Sequence, residues 1–157
     1  MKNTNVILHD KAYREMVLEL EALERDRKFC KHDLDHFINV ARIAYILNLE
    51  EACGFSKDLI YTTALLHDIG RVLEYKDGTP HDIGSYNIAK DMLLKTDFNE
   101  DEQSLILDAI LNHRHLDESP FNRVIFRADK LSRDCYRCKM FGECHWDDDL
   151  KNVNLKY

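Results

Sequence analysis

The stretch TTALLHDIGR, residues 62–71, poses the question on which the fold turns. An apolar helical run ends in the pair His67-Asp68, and Gly70 follows at once. Imidazole beside carboxylate has the form of a metal site, yet the chain holds three more such pairs: His9-Asp10, His32-Asp33 and His81-Asp82. With eight histidines in an aspartate-rich chain, a chance pair is expected. What separates 67–68 from the others must lie around it.

Working outward, Ser56 is placed to N-cap a helix through Leu59, Ile60, Ala64 and Leu65 that ends near Asp68–Gly70. Upstream, HDLDHFINVARIAYILNLEEACG sets Phe37, Val40, Ala41, Ile43, Ala44 and Leu47 on one side, and Gly54 is the expected C-terminal cap. Before it, Tyr13, Met16, Val17, Leu20 and Leu23 recur at helical spacing, predicting an amphipathic helix from Lys11 to about Lys28. Downstream, KDGTP reads as a turn, and a helix is expected from His81 to Leu94. NEDEQSLILDAILNH carries acids in its first turn, where the helix dipole favours them. Phe121 to Arg133 reads as a further helix. No segment alternates with period two over a useful length, so the expectation is all-α, a compact bundle of about six or more helices.

Composition narrows the function. At 157 residues the chain fits a single domain over 1–157, with a core at about 30–133 and a Cys-containing tail at 134–157. Five Gly and two Pro leave few breaks, which favours long helices. A net charge of −7 argues against a general nucleic-acid or membrane-surface binder, since both want a basic face. The first residues lack the apolar core of a secretory signal, and no run reaches the ~18 apolar residues of a membrane span. The expected compartment is cytoplasmic, where the five cysteines are thiols or metal ligands rather than disulfides.

The chemistry-bearing residues fall at helix ends. His36 begins one helix, His67-Asp68 ends the next, His81 begins another, His113 ends its successor, and Asp129 lies inside VIFRADKLS. Ends of antiparallel neighbours meet at one pole of a bundle, where imidazole and carboxylate together suit Zn, Fe, Mn, Co or Ni better than a hard cation. Singly, each has a bland reading: a hydrogen-bonded core histidine, or an ion-pair partner for Arg127 or Arg133 in the case of Asp129.

Their order is more specific. HDLDHFINVARIA, TTALLHDIGR, HDIGSYNIAKDML, ILNHRH and FRADKLS together resemble the HD superfamily of metal-dependent phosphohydrolases over roughly residues 30–133. The resemblance implies an all-α core in which His36, His67, Asp68 and Asp129 hold one metal, with His81 and His113 completing a second site in two-metal members. Because the stretch reads HRH, His115 is an alternative to His113. H-x-x-G-S at His81 and ADK at Asp129 look most like the bacterial members that cleave dinucleoside polyphosphates. The implied partner is a small phosphorylated substrate such as a nucleotide, cleaved at a phosphoester or pyrophosphate bond by hydroxide held on one or two divalent transition metals. Asp68 would bridge and orient. Arg71 is the candidate phosphate ligand, with a surface cation beside Glu74 as its bland reading. Arg133, four residues past Asp129, shares its helix face, whereas Lys130 is turned aside by about a quarter-turn. The alternative is a non-catalytic nucleotide- or metal-responsive module that binds in the same pocket.

The tail DCYRCKMFGECHW adds Cys135, Cys138 and Cys144 in a C-x2-C-x5-C array, followed by His145. Reduced, partly buried thiols are one reading. The other brings in Cys30, six residues before His36 as Cys135 is six after Asp129. If both intervals are helical and antiparallel, each Cys lies about 9 Å along its axis from the main metal, displaced in the same direction. Cys30 and the tail cysteines would then form a second site, for structural Zn or an iron–sulfur cluster.

Overall fold

Residues 1–157, described here by a computed structural model, form eight α-helices and no strand. In chain order they are α1 (Lys2–Leu8), α2 (Lys11–Leu23), α3 (Leu34–Glu50), α4 (Lys57–Leu66), α5 (Arg71–Asp77), α6 (His81–Leu93), α7 (Glu100–Asn112) and α8 (Pro120–Leu131). Two 3-10 turns, Cys135–Arg137 and Phe141–Glu143, follow in the tail. The all-α expectation holds. None of these helices is long and apolar enough to cross a membrane.

Helix α3 organises the bundle by packing against α4 and α8, while α6 and α7 pair beside α4. Asp33 caps α3 by accepting from the His36 N–H at 2.8 Å, and Phe37, Val40, Ala41, Ala44 and Leu47 are fully buried along its inner face. At about 1.5–3 kcal/mol for each large apolar side chain, that stripe alone anchors the helix. Ser56 caps α4 through the Leu59 N–H as expected. Tyr13 on α2 donates its buried hydroxyl to the Leu65 carbonyl at 2.8 Å, tying α2 to the last turn of α4.

The structure departs from the sequence expectations in places. Helix α2 stops at Leu23 rather than near Lys28, because Glu24 turns inward and is 1% exposed. Helix α3 stops at Glu50, short of Gly54. Asn48 makes two hydrogen bonds to the backbone of Phe55, and Ala52 and Gly54 take positive φ between them. Helices α1 and α5 were not expected, being only seven residues each. The first docks on α4 because Asp58 accepts from the Asn3 and Thr4 N–H groups and the Thr4 hydroxyl. The tail folds back: Asn152 donates to the Leu131 carbonyl, and Tyr136 N–H donates to the Asn152 carbonyl.

Candidate metal centre

Two glycines bring the decisive residues together. A Cβ on Gly70 would lie 2.0 Å from the Ser85 nitrogen and 2.4 Å from the His81 carbonyl oxygen, so only glycine lets the α4–α5 turn rest on the first turn of α6. Gly84 faces it from α6, where a Cβ would meet the Gly70 oxygen at 3.0 Å. The Gly70 N–H donates to the Ser85 hydroxyl at 2.9 Å and locks the contact. This places His81, at the start of α6, beside Asp68, just past the end of α4.

The remaining residues arrive from other helix ends: His36 from the first turn of α3, His67 from the C-cap of α4, His113 from the C-cap of α7 and Asp129 from the last turns of α8. All six are buried. They form two groups whose ligand-type atoms lie within 4.8 Å of one another: His36, His67, Asp68 and Asp129, and then Asp68, His81 and His113. Asp68 belongs to both. Its Oδ2 is 3.4 Å from His67 Nε2, and its Oδ1 is 3.5 Å from His81 Nε2 and 3.5 Å from His113 Nε2. On the first side, His36 Nε2 is 3.4 Å from Asp129 Oδ1.

Each imidazole is held from behind. The Nδ1 atoms of His67 and His113 donate to the Ala64 and Ile110 carbonyls at 2.8 and 2.6 Å. His81 Nδ1 is 3.2 Å from Glu74 Oε1. His36 Nδ1 is 3.1 Å from Ser132 Oγ, whose own proton goes to the Asp129 carbonyl. With every Nδ1 engaged, every Nε2 points inward, which is how metal-ligating histidines are oriented. His67 Nε2 and Asp129 Oδ1 are buried without hydrogen-bond partners. Two orphaned atoms of ligand type at the centre of such a set are what a group able to hold a metal ion presents.

The charges are arranged accordingly. Burial works to raise the carboxyl pKa values, but Arg71, His32 and His67 hold Asp68 well below the usual range. His36, His67, Lys130 and Arg133 do the same for Asp129. Burial works against a proton on His67, yet Asp68 and Asp129 outweigh it and raise its pKa to about 9. His36, lowered to about 4 chiefly by burial, is neutral.

The basic residues singled out in the sequence meet here as well. Arg71 Nε is 3.0 Å from Asp68 Oδ1, its Nη1 is 3.2 Å from Glu74 and its side chain is 16% exposed, so it faces the centre and Glu74 at once. Arg133 lies 3.7 Å from Asp129 Oδ1 and donates to His36 Nε2 at 2.9 Å. Lys130, which helix geometry turned aside, folds back to put Nζ 2.7 Å from Asp129 Oδ2. The length of its side chain overrides the angle of its Cβ. His115 is exposed, and of the two histidines of HRH only His113 faces the centre. Cys30, Cys135, Cys138 and Cys144 line one neighbouring cavity of about 490 Å3. The route differs from the helical intervals expected, since Cys30 lies in the α2–α3 loop and Cys135 in a 3-10 turn.

Sequence reasoning missed a fifth inward imidazole. His32 is 4% exposed, its Nε2 is 3.6 Å from Asp68 Oδ2, and its Nδ1 donates to Glu24 at 2.8 Å. The same Glu24 carboxylate accepts the His32 backbone N–H at 2.6 Å and the Tyr75 hydroxyl at 3.0 Å. A buried acid eight residues before a histidine, with a loop between them, leaves no periodic trace. The centre opens into a cavity of about 370 Å3, whose walls include Arg71, Arg114, Lys130, Arg133, His145 and Trp146.

Helix ends converge a histidine–aspartate cluster able to hold a metal ion around one shared carboxylate, in an all-α bundle. The HD domain model matches residues 33–134, and the chain belongs to the HD-domain family, whose members are metal-dependent phosphohydrolases. The chain is also 48% identical to an uncharacterized protein of Clostridium beijerinckii over 157 residues, 100% of both chains. No solved structure matches it.

Proposed function

We propose that this protein is a metal-dependent phosphohydrolase that cleaves a phosphoester or pyrophosphate bond of a nucleotide or similar small phosphorylated molecule. The observation that carries the reading is Asp68, whose two oxygens face separate histidine groups and so are poised to bridge two ions. His36, His67 and Asp129 would complete one ion's ligands and His81 and His113 the other's, with Fe, Mn, Co, Ni or Zn all compatible with the donors. Ions bound there supply Lewis acidity toward a phosphoryl group and acidify bound water.

The chain's own groups do the rest. Arg71, Lys130 and Arg133 border the cavity from two sides of the carboxylates and can turn from them to phosphate oxygens, Arg in a bidentate manner. Lys130 Nζ lies over the Trp146 ring, 4.8 Å from its centroid, at the same wall. The cavity of about 370 Å3 is within the range of small-ligand sites. The substrate reading rests on this wall and not on H-x-x-G-S, because Gly84 and Ser85 are already committed to the Gly70 contact.

The test is a phosphate-release screen over nucleotides, dinucleoside polyphosphates and simple phosphoesters, with Mn, Fe, Co, Ni, Zn or Mg added. Turnover in at least one metal, abolished in Asp68→Ala, is expected. Tight nucleotide binding without turnover in any metal overturns the enzyme reading in favour of a binding module.

A further inference from the structure

The His/Asp centre leaves four of the five cysteines unused. Cys30 comes from the α2–α3 loop, Cys135 opens the first 3-10 turn, Cys138 and Cys144 directly follow the first and second turns, and all four are free thiols bordering the cavity of about 490 Å3. Burial pushes the Cys30 thiol up; Arg133 pulls it down, and the three tail cysteines push it up again, as four sulfurs around one space must. Cys53, the fifth, borders neither this cavity nor the metal centre.

Four convergent thiols in a protein without disulfides point to a metal, and spacing selects which. A single tetrahedral Zn with Zn–S of about 2.3 Å needs sulfurs roughly 3.8 Å apart. The two groups of three or more ligand atoms within 4.8 Å both lie at the His/Asp centre, so no three of the cysteine sulfurs come together at that distance. Wider spacing suits thiolates that each bind one corner of a polynuclear cluster, at separations on the order of 6 Å. The walls suit it too. Lys28, Arg133, Arg137 and Lys151 border the space against Asp33, Asp35 and Asp134, and Phe29, Phe141 and Trp146 add apolar wall. Four thiolates around a four-iron, four-sulfide core leave about two net negative charges for those cations to balance.

We infer that Cys30, Cys135, Cys138 and Cys144 hold an iron–sulfur cluster that fastens the tail beside the metal centre. The consequence is spatial. Phe29, Cys30, Arg133, Cys144 and Trp146 border both cavities, so the cluster would pin a wall of the site that opens on Asp68. The inference does not depend on hydrolysis, since a binding module with the same cavity would carry the same clasp.

The experiment counts iron and acid-labile sulfide in the full-length protein, isolated without oxygen and then reconstituted with ferrous and ferric iron and sulfide. About four sulfides per chain, with broad visible absorption near ~400 nm, are expected. Sulfide separates the cluster from any iron at the His/Asp centre, which binds none. Cys138→Ser should lose sulfide and colour, Cys53→Ser should keep both, and His67→Ala should keep both while losing main-site metal. Absence of labile sulfide from the reconstituted unmodified protein overturns the inference, whatever the variants do. So does one Zn per chain that is lost in Cys138→Ser.

Discussion

Gly70→Ala is the most searching perturbation of the centre, because it touches no ligand. The added Cβ would sit 2.0 Å from the Ser85 nitrogen, and ordinary contact begins at 3.4 Å, so α6 must retreat by about 1.4 Å. The three atoms it meets are all backbone, and no rotamer change can relieve them. Overpacking of this kind costs about 1–3 kcal/mol, with this site at the upper end. For a chain of this size that lowers Tm by roughly 6–12 °C. The retreat also stretches the Gly70–Ser85 hydrogen bond and carries His81 away from Asp68 Oδ1, now 3.5 Å distant. His36, His67 and Asp129 sit on α3, α4 and α8 and stay in place. The variant should therefore weaken one ion far more than the other. Metal content by mass spectrometry, after dialysis against graded chelator, reads this directly beside thermal unfolding. Gly142→Ala is the control, since its Cβ would meet nothing within 4 Å. A Gly70→Ala protein with unchanged Tm and both ions at unchanged affinity refutes the reasoning.

Two further outcomes follow from the same geometry. His32→Ala removes the imidazole that faces Asp68 Oδ2 at 3.6 Å, and metal affinity should fall about 10–100-fold, as for other outer partners of metal ligands; titration of metal-free protein at unchanged helical content checks it, and unchanged affinity removes His32 from the centre. The metal-free protein should be most stable near pH 6.5. His67, raised from 6.5 to about 9, contributes stability that is full below 6.5 and lost as pH rises through 9, while His36, lowered to about 4, contributes stability that is lost as pH falls from 6.5 through 4. Metal must displace the His67 proton, so affinity should climb over pH 6.5–9. Melting of chelator-treated protein across this range tests both limbs, and a Tm that rises steadily from pH 6.5 to 9 contradicts the assignment.

What could be read from the sequence, and what could not, divides along physical lines. The inner faces of α3 and α4 were legible because each spans enough turns for apolar spacing to repeat, and Ser56 marks a start by a local hydrogen bond. Helices α1 and α5 span two turns each, too few for a period to stand out. The early end of α2 and the inward turn of Glu24 have a tertiary cause, a carboxylate drawn to a histidine across a loop. The folding back of Lys130 has another, the pull of Asp129 on a flexible stem. Such causes leave no mark on neighbouring residues.

The four His-Asp pairs show how one dipeptide takes different work from its surroundings. Asp10 is the N-cap of α2, accepting from the Ala12 and Tyr13 N–H groups, and His9 merely ends α1. Asp33 caps α3, so in His32-Asp33 only the histidine reaches the centre. In His81-Asp82 the first residue of α6 points in, and the second is half-buried in its first turn. At 67–68 no cap is needed, because α4 is ending rather than beginning, and neither side chain is committed to an N-terminal N–H. Both are then free to face inward, and Gly70 brings α6 close enough for Asp68 to be shared. The position of a carboxylate relative to a helix end, more than its neighbour in sequence, decides whether it caps a helix or stands ready for a metal.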